Sequence, residues 1–213
     1  MKIIYLIIIS FLFISCKNEE VKAKTNSKQK IVETIAAELD ADSIVSQNSE
    51  LFIKELANKV LLSIKEKEWA KFTSYIHPTK GVRLSPYVHI DTNSGFILRQ
   101  NNFFLLQEEK QFWGYYDGSG DSITLTVKEY FNDFVYDADF LHAEKISINN
   151  FLGSGNSLYN VDEIYPNLSF VNYYFSGFEA KYDGLDWKSM SLFFDNLDGE
   201  LFLVAIVHNQ WTI

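Results

Sequence analysis

The apolar residues change their spacing near residue 80, and this change constrains the fold more than any other feature of the sequence. Before it, they stand three or four positions apart and form one helical stripe: Ile53, Leu56, Ala57, Val60, Leu61 and Ile64. This stripe predicts a helix over residues 49–66. A second helix follows from Trp69 and must end near His77, because a proline at position 78 disfavours helical geometry in the residue before it.

From Gly81 onward the apolar residues alternate with polar ones, as they do in strands. The strands predicted from this alternation cover residues 82–90, 96–99, 102–107, 143–149, 168–175, 187–195 and 200–208. The last two flank a turn-forming tetrad at 196–199, which predicts a C-terminal β-hairpin. One helix interrupts the strands, since Thr126 and Glu129 fit a capping box, and we expect it to extend to about Phe134.

These elements predict an α+β fold with N-terminal helices packed on a curved, mostly antiparallel sheet that ends in a C-terminal β-hairpin. Their order over residues 49–213 resembles the nuclear transport factor two-like (SnoaL-like) cone. The resemblance implies a curved sheet that wraps around helices and often encloses a pocket. The segments YIHPTKGVRLSPY, WGYYDGSG and HNQWTI are also similar to a set of uncharacterised bacterial proteins, and that resemblance implies no activity.

Composition excludes two classes of protein. Hydrophobic residues make up 47% of the 213 residues, too many for a disordered chain. The formal net charge is −9 and no face rich in Lys and Arg is visible, which argues against nucleic acid as a partner.

Residues 1–15 carry one Lys followed by an apolar run from Ile3 to Ile14. A helix that spans a bilayer needs about 20 apolar residues, and this run is shorter. A short charged start, a short apolar stretch and a small residue at the break are typical of a secretory signal peptide.

Cys16 is the only cysteine of the chain and follows this run directly. The tetrad Phe13-Ile14-Ser15-Cys16 resembles the lipobox of bacterial lipoproteins, with Phe13 in place of the usual Leu. The resemblance implies that Cys16 becomes the N-terminus and carries acyl chains such as palmitate, which hold the protein on a membrane. The alternative is an ordinary signal peptide whose cysteine is incidental.

The predicted location is therefore the cell envelope, as an outer-membrane lipoprotein of a Gram-negative bacterium. The residues 17–20 are similar to acidic export tags of surface lipoproteins, and they leave open the periplasmic or the surface face. We expect four segments: a signal peptide at 1–15, the lipidated cysteine and a flexible linker at 16–30, a weak helical segment at 31–47, and a single α+β domain at 48–213.

Recognisable catalytic or metal motifs do not occur in the sequence. The four histidines lack the i, i+4 spacing of a zinc site. The stretch Asp117–Asp121 begins like a calcium loop, but Ser122 stands where that loop needs glycine. We therefore expect no metal and no cofactor.

One mixed group of polar and aromatic residues has the composition of a small-molecule pocket, with apolar walls and a few orienting donors. Its members are His77, Arg83, Trp113, Asp117, His208 and Trp211. The alternative is that the aromatic residues fill the core and the polar ones cap strand ends.

Three functions remain open. The first, which we favour, is a membrane-anchored binding module for a small ligand or an envelope partner. The second is an acid–base hydrolase or isomerase that pairs His77 or His208 with Asp117. The third is a structural lipoprotein whose aromatic surface binds another protein.

Overall fold

The computed structural model describes residues 46–93, 96–153, 155 and 158–212. The chain divides into two compact units, Met1–Asn48 and Ser49–Ile213. The predictions for the signal peptide, Cys16, the linker and most of the segment 31–47 lie outside the described residues. The description below concerns the second unit and the few residues that precede it.

The two N-terminal helices form as their apolar stripes predict. Helix α1 covers residues 46–65, and α2 covers Trp69–Tyr75. The α1 stripe faces the core, where Ala57, Val60 and Leu61 are fully buried. The chain leaves α2 at Ile76, whose backbone is already extended, so the proline at 78 ends the helix as expected.

One six-stranded sheet contains most of the strands, in the order β2-β1-β8-β7-β6-β5. These strands are β1 Val82–Ser85, β2 Ile97–Leu98, β5 Lys145–Ile148, β6 Ser169–Phe175, β7 Lys188–Leu197 and β8 Glu200–Gln210. Every pair is antiparallel except β1 with β8, which is parallel. The long β7–β8 hairpin lies in the middle of the sheet and turns at Asp198 and Gly199, which both have positive φ.

The two faces of this sheet carry different cores. The inner face holds Leu192 and Ile206, and helices α1 and α2 pack on it. The outer face holds Phe193, Ala205 and Val207, and a smaller apolar cluster covers it. Successive residues of a strand point to opposite faces, so a residue two positions from Ile206 lies on the inner face.

A separate two-stranded sheet pairs β3 Gln111–Tyr115 with β4 Ser122–Leu125. The sequence reading missed these strands and placed one at 102–107, which was wrong. That segment is a series of turns, in which the amide groups of Leu105 and Leu106 both donate to the carbonyl oxygen of Asn102. Phe103 is buried and the next residue, Phe104, is exposed, which resembles the alternation of a strand. The backbone groups that donate and accept within these turns, however, are not available to pair with a neighbouring strand.

The capping box forms as predicted at the start of the inserted helix. Helix α3, Val127–Tyr130, begins after Thr126, whose hydroxyl accepts from the Glu129 amide while the Glu129 carboxylate accepts from the Thr126 amide. A single π-helical turn, Phe131–Val135, follows and brings the chain to Asp137. Short helices complete the fold: 3-10 turns at Phe140–His142 and Ala180–Tyr182, and α4 at Val161–Ile164.

The predicted α+β class is confirmed: the structure has a helical N-terminal region, a mostly antiparallel sheet and a C-terminal hairpin. Several predicted strands are shorter than expected. The segment 82–90 forms a strand only over Val82–Ser85, after which Pro86 cannot donate to a ladder.

Candidate functional site

Three charged or titratable side chains meet on the inner face, at the end of the β7–β8 hairpin away from its turn. His208 follows Ile206 by two residues on β8, and Lys188 is the first residue of β7. Asp137 reaches them from the segment after the π-helical turn. We call these three residues the inner-face triad.

The carboxylate of Asp137 lies between the two basic groups. Its Oδ2 atom contacts the ammonium group of Lys188 and lies 3.3 Å from Nε2 of His208, an ion-pair distance with poor hydrogen-bond alignment. The side chains of His208 and Asp137 are 1% and 9% exposed, so water screens this contact weakly. Lys188 is 27% exposed and connects the triad to the surface.

The pKa of Asp137 lies below its ordinary value. Burial is the largest influence and raises that pKa, but the nearby basic groups of His208 and Lys188 together outweigh it. The carboxylate is therefore ionised at neutral pH in spite of its burial.

Both ring nitrogens of His208 face an acceptor. Nδ1 lies 3.1 Å from the backbone oxygen of Pro86, and Nε2 faces the Asp137 carboxylate. A carbonyl oxygen only accepts, so Nδ1 must carry a proton. The ring is thus fixed in orientation by contacts on both sides, and neither nitrogen points toward an open position.

Aromatic side chains of the inner face surround the triad. The ring of Phe134 stacks on Tyr130 at 5.1 Å and meets the His208 ring edge-on at 5.9 Å. Tyr130 in turn stacks on Trp113 at 4.2 Å. Phe134 therefore separates the hydroxyl-bearing ring of Tyr130 from the imidazole.

Two buried oxygen atoms of this region have no hydrogen-bond partner among the protein groups that the structure describes. They are Oη of Tyr130 and Oδ1 of Asp137. Burial, with a smaller contribution from Tyr87, raises the pKa of Tyr130 well above its ordinary value, so the hydroxyl is neutral. A buried polar atom without a partner costs about 1–3 kcal/mol, and in native proteins such an atom is explained by strain, by a bound water or ion, or by a functional role.

Four of the residues predicted from the sequence lie near this end of the sheet. They are His208, Trp113, Asp117 and Trp211. Trp113 is buried, and its Nε1 donates to the Leu125 oxygen at 2.8 Å, so its polar atom is satisfied within the core. Half-buried Trp211 follows the last residue of β8.

Asp117 binds the C-terminal segment of the chain and not a histidine. Its Oδ2 accepts from the hydroxyl of Thr212 at 2.5 Å, and its backbone amide donates to the Tyr87 hydroxyl. The acid that contacts His208 is Asp137, so the expected pairing of His208 with Asp117 is not the one that the structure shows.

His77 lies at the opposite end of the hairpin, near its turn. Nδ1 accepts hydrogen bonds from the amides of Thr79 and Lys80, at 3.3 and 3.1 Å, so the ring caps the turn after α2. Burial, then the charge of Lys80, lowers the pKa of His77, although Asp195 opposes them. The neutral ring with its proton on Nε2 fits these contacts, and the role that they define is structural.

Arg83 lies on the outer face of the sheet. Its partner across the β1–β8 ladder is Ala205, a member of the outer-face core. The sheet therefore separates Arg83 from the inner-face triad, and the six residues do not form one group.

Sequence reasoning missed Asp137, Lys188 and Tyr130. Asp139, two residues further along, stays at the surface, where its carboxylate contacts the side chains of Lys65 and His142. No short-range pattern distinguishes the two acids, since only the tertiary structure directs Asp137 inward.

Comparisons of the chain with protein-family models, with curated proteins and with solved structures found no match. Within the described ranges, no three His, Cys, Asp or Glu side chains are grouped closely enough to hold a metal ion. No helix in this same part of the chain has the length and the apolar character that crossing a membrane requires.

Proposed function

We propose that the protein is a binding module for a small polar ligand, held at the cell envelope through Cys16. The observation that carries the binding function is the pair of buried, unpartnered oxygens on the inner face, Oδ1 of Asp137 and Oη of Tyr130. Aromatic rings line the same region, which is the usual composition of small-molecule sites. A ligand that donates a hydrogen bond to Asp137 compensates a cost that the folded protein otherwise bears.

The charges of the triad favour a neutral ligand group at Asp137. The carboxylate already has the Lys188 ammonium and the His208 ring on Oδ2, so a further cation has little to gain. A hydroxyl or an amide N–H supplies the donor that Oδ1 lacks without adding charge to a buried site. Polyols and primary amides have this chemistry.

The contacts of His208 favour binding over acid–base catalysis. A general base needs a nitrogen within hydrogen-bond reach of the proton that it removes. Nδ1 already faces the Pro86 oxygen, and Nε2 faces Asp137. Catalysis by His208 would first have to break one of these contacts, whereas ligand binding at Oδ1 breaks neither.

The fold proposed for this function is the SnoaL-like cone. The order of elements supports it: two N-terminal helices precede one mixed sheet, and those helices pack on the face that carries the triad. The triad lies at the end of the central hairpin that is remote from the turn, on the face that the helices cover.

The binding proposal is tested by thermal unfolding of the full chain with acetamide, glycerol, glucose and N-acetylglucosamine as probes. The variant Tyr130→Phe removes one of the two unpartnered oxygens and keeps the ring stack. The matched control is Tyr136→Phe. It removes a tyrosine hydroxyl that donates to Asp139 at the surface.

We expect at least one probe to raise the unfolding temperature of the wild type and of the control. Its affinity for Tyr130→Phe should fall about tenfold, the equivalent of one hydrogen bond of roughly 1.4 kcal/mol. If no probe acts, or if both variants respond alike, the inner face is not the binding site.

The envelope location rests on the lipobox-like tetrad that ends at Cys16. Replacement of Cys16 by alanine removes the thiol that would be acylated, and we expect the variant to leave the membrane fraction. Fractionation of cells and labelling with palmitate measure this directly. A variant that stays on membranes and still incorporates palmitate contradicts the proposal.

A further inference from the structure

Arg83 stands in an apolar environment on the outer face of the sheet. Its neighbour across the β1–β8 ladder is Ala205, which belongs to a cluster of eight buried hydrophobic residues on that face. The side chain is half-buried. Guanidinium groups in such surroundings are rarely left without a counter-ion, because an unpaired charge is costly to remove from water.

The polar contacts of Arg83 leave its charge uncompensated. The guanidinium lies beside the phenol of Tyr165, whose pKa burial raises and the charge of Arg83 lowers, so this neighbour is a neutral group. Its Nη1 atom is buried and has no hydrogen-bond partner among the described residues. The ion pairs found between described residues all use other basic groups, so no carboxylate of that part of the chain neutralises Arg83.

A lysine on the inner face of the sheet shows the difference. Lys188 on the inner face is partly buried like Arg83, and it contacts the carboxylate of Asp137. The protein thus supplies an acid for one partly buried cation and a phenol for the other. Among the described residues, Arg83 therefore lacks the counter-ion that Lys188 has.

Tyr165 completes a fork of donors. Its ring packs on Phe193 at 5.5 Å, which holds the phenol over the outer face beside Arg83. A neutral phenol hydroxyl has a proton to donate. Nη1 of Arg83 and the hydroxyl of Tyr165 can therefore both donate to one anion, and a planar guanidinium matches carboxylate and phosphate oxygens.

We propose that Arg83 and Tyr165 form an anion-binding site on the outer face, which takes a ligand through a carboxylate or a phosphate group. This site lies on the other side of the sheet from the inner-face triad and does not depend on the function proposed for it. The chain contains two arginines, and only this one is placed against the outer-face core.

The test measures thermal unfolding of the full chain in sodium phosphate and in sodium acetate, each against sodium chloride of equal ionic strength. Phosphate also stabilises proteins by exclusion from their surface, so a variant must separate that general effect from binding. Arg83→Gln removes the proposed site. Arg99→Gln is the matched control, because it makes the same change in charge at an exposed arginine that donates to the Thr79 oxygen.

We expect at least one of the two anions to raise the unfolding temperature of the wild type and of Arg99→Gln. At about twenty times its Kd, an anion should raise it by about 4–7 °C in a domain of this size. The rise should be lost in Arg83→Gln. Acetate and phosphate together distinguish a carboxylate site from a phosphate site.

A second variant keeps the test decisive if Arg83→Gln does not fold. Tyr165→Phe retains the ring that packs on Phe193 and removes only the hydroxyl, and it should reduce the rise by at least half. The proposal is overturned if neither anion raises the unfolding temperature of the wild type above the chloride control. It is also overturned if the rise is equal in Arg99→Gln and in Tyr165→Phe.

Discussion

Replacement of Asp137 by asparagine tests the inner-face triad most directly, since it removes one charge and almost no volume. The wild-type carboxylate contacts both Lys188 and His208, and its side chain is 9% exposed. Removal of one partner of a buried ion pair typically costs about 3–5 kcal/mol, because the other charge stays buried without compensation. Lys188 is 27% exposed and can regain water, so we expect a smaller cost, about 2–4 kcal/mol.

The assay is urea unfolding of the full chain followed by tryptophan fluorescence, with thermal unfolding as a second measurement. A loss of 3 kcal/mol corresponds to a fall in unfolding temperature of about 6–12 °C for a domain of 150–250 residues. The matched control is Asp133→Asn, an exposed aspartate in the π-helical turn, for which we expect a change of about 0.5 kcal/mol or less.

The same pair of proteins should show a defined pH dependence. Folding lowers the pKa of Asp137, so the carboxylate stabilises the folded state above its unfolded pKa, about 3.9. That contribution is lost as the pH falls through the lower pKa of the folded state. The stability difference between wild type and Asp137→Asn should therefore shrink as the pH falls below about 4.

Two results would refute this reasoning. If Asp137→Asn and Asp133→Asn lose equally little stability, the triad is energetically no different from a surface contact. If the difference at Asp137 instead grows as the pH falls toward 3, the carboxylate is not ionised in the folded protein.

Two further changes test the capping interactions, each by urea unfolding. His77→Ala leaves the amides of Thr79 and Lys80 without their acceptor and should cost about 2 kcal/mol, whereas His77→Asn, which keeps an acceptor near Nδ1, should recover at least half. Folding lowers the pKa of His77, so the wild type should lose stability as the pH falls from 7 to 5, and His77→Asn should lose less. Equal losses in the two proteins would exclude a neutral His77 as the acceptor in this turn. Thr126→Ala removes the hydroxyl of the capping box and should cost about 1 kcal/mol, while Thr126→Ser should cost a few tenths; a neutral Thr126→Ala would mean that packing alone holds α3.

Local sequence patterns predicted the elements that local chemistry determines. The stripe of α1 gave its buried face, because a helix repeats its side chains every three or four residues whatever it packs against. The capping box at Thr126 needs only residues within one helical turn, and it forms as expected. The hairpin at 196–199 depends on turn residues that adopt positive φ, and Asp198 and Gly199 do so.

The error at 102–107 shows where such patterns fail. The segment is as apolar as a strand, but turns that involve Asn102 use its backbone groups before any neighbour can pair with them. The strands that the structure has instead, β3 and β4, flank a glycine-rich loop, and β3 contains no β-branched residue and has a glycine, which strands disfavour. Their pairing also contains a register shift between Phe112 and Gly114, which disturbs the period of two.

The sequence by itself determined the class of fold and the core face of α1. Only the tertiary structure decided which charges meet. Whether His208 faces the helices depends on the register of the β7–β8 ladder, and a shift of one residue would place it on the outer face. Asp137 and Arg83 are both surrounded by ordinary local sequence, yet one reaches an ion pair and the other reaches a phenol. Contacts between residues far apart in the chain follow from how the sheet and helices pack, and no local spacing records them.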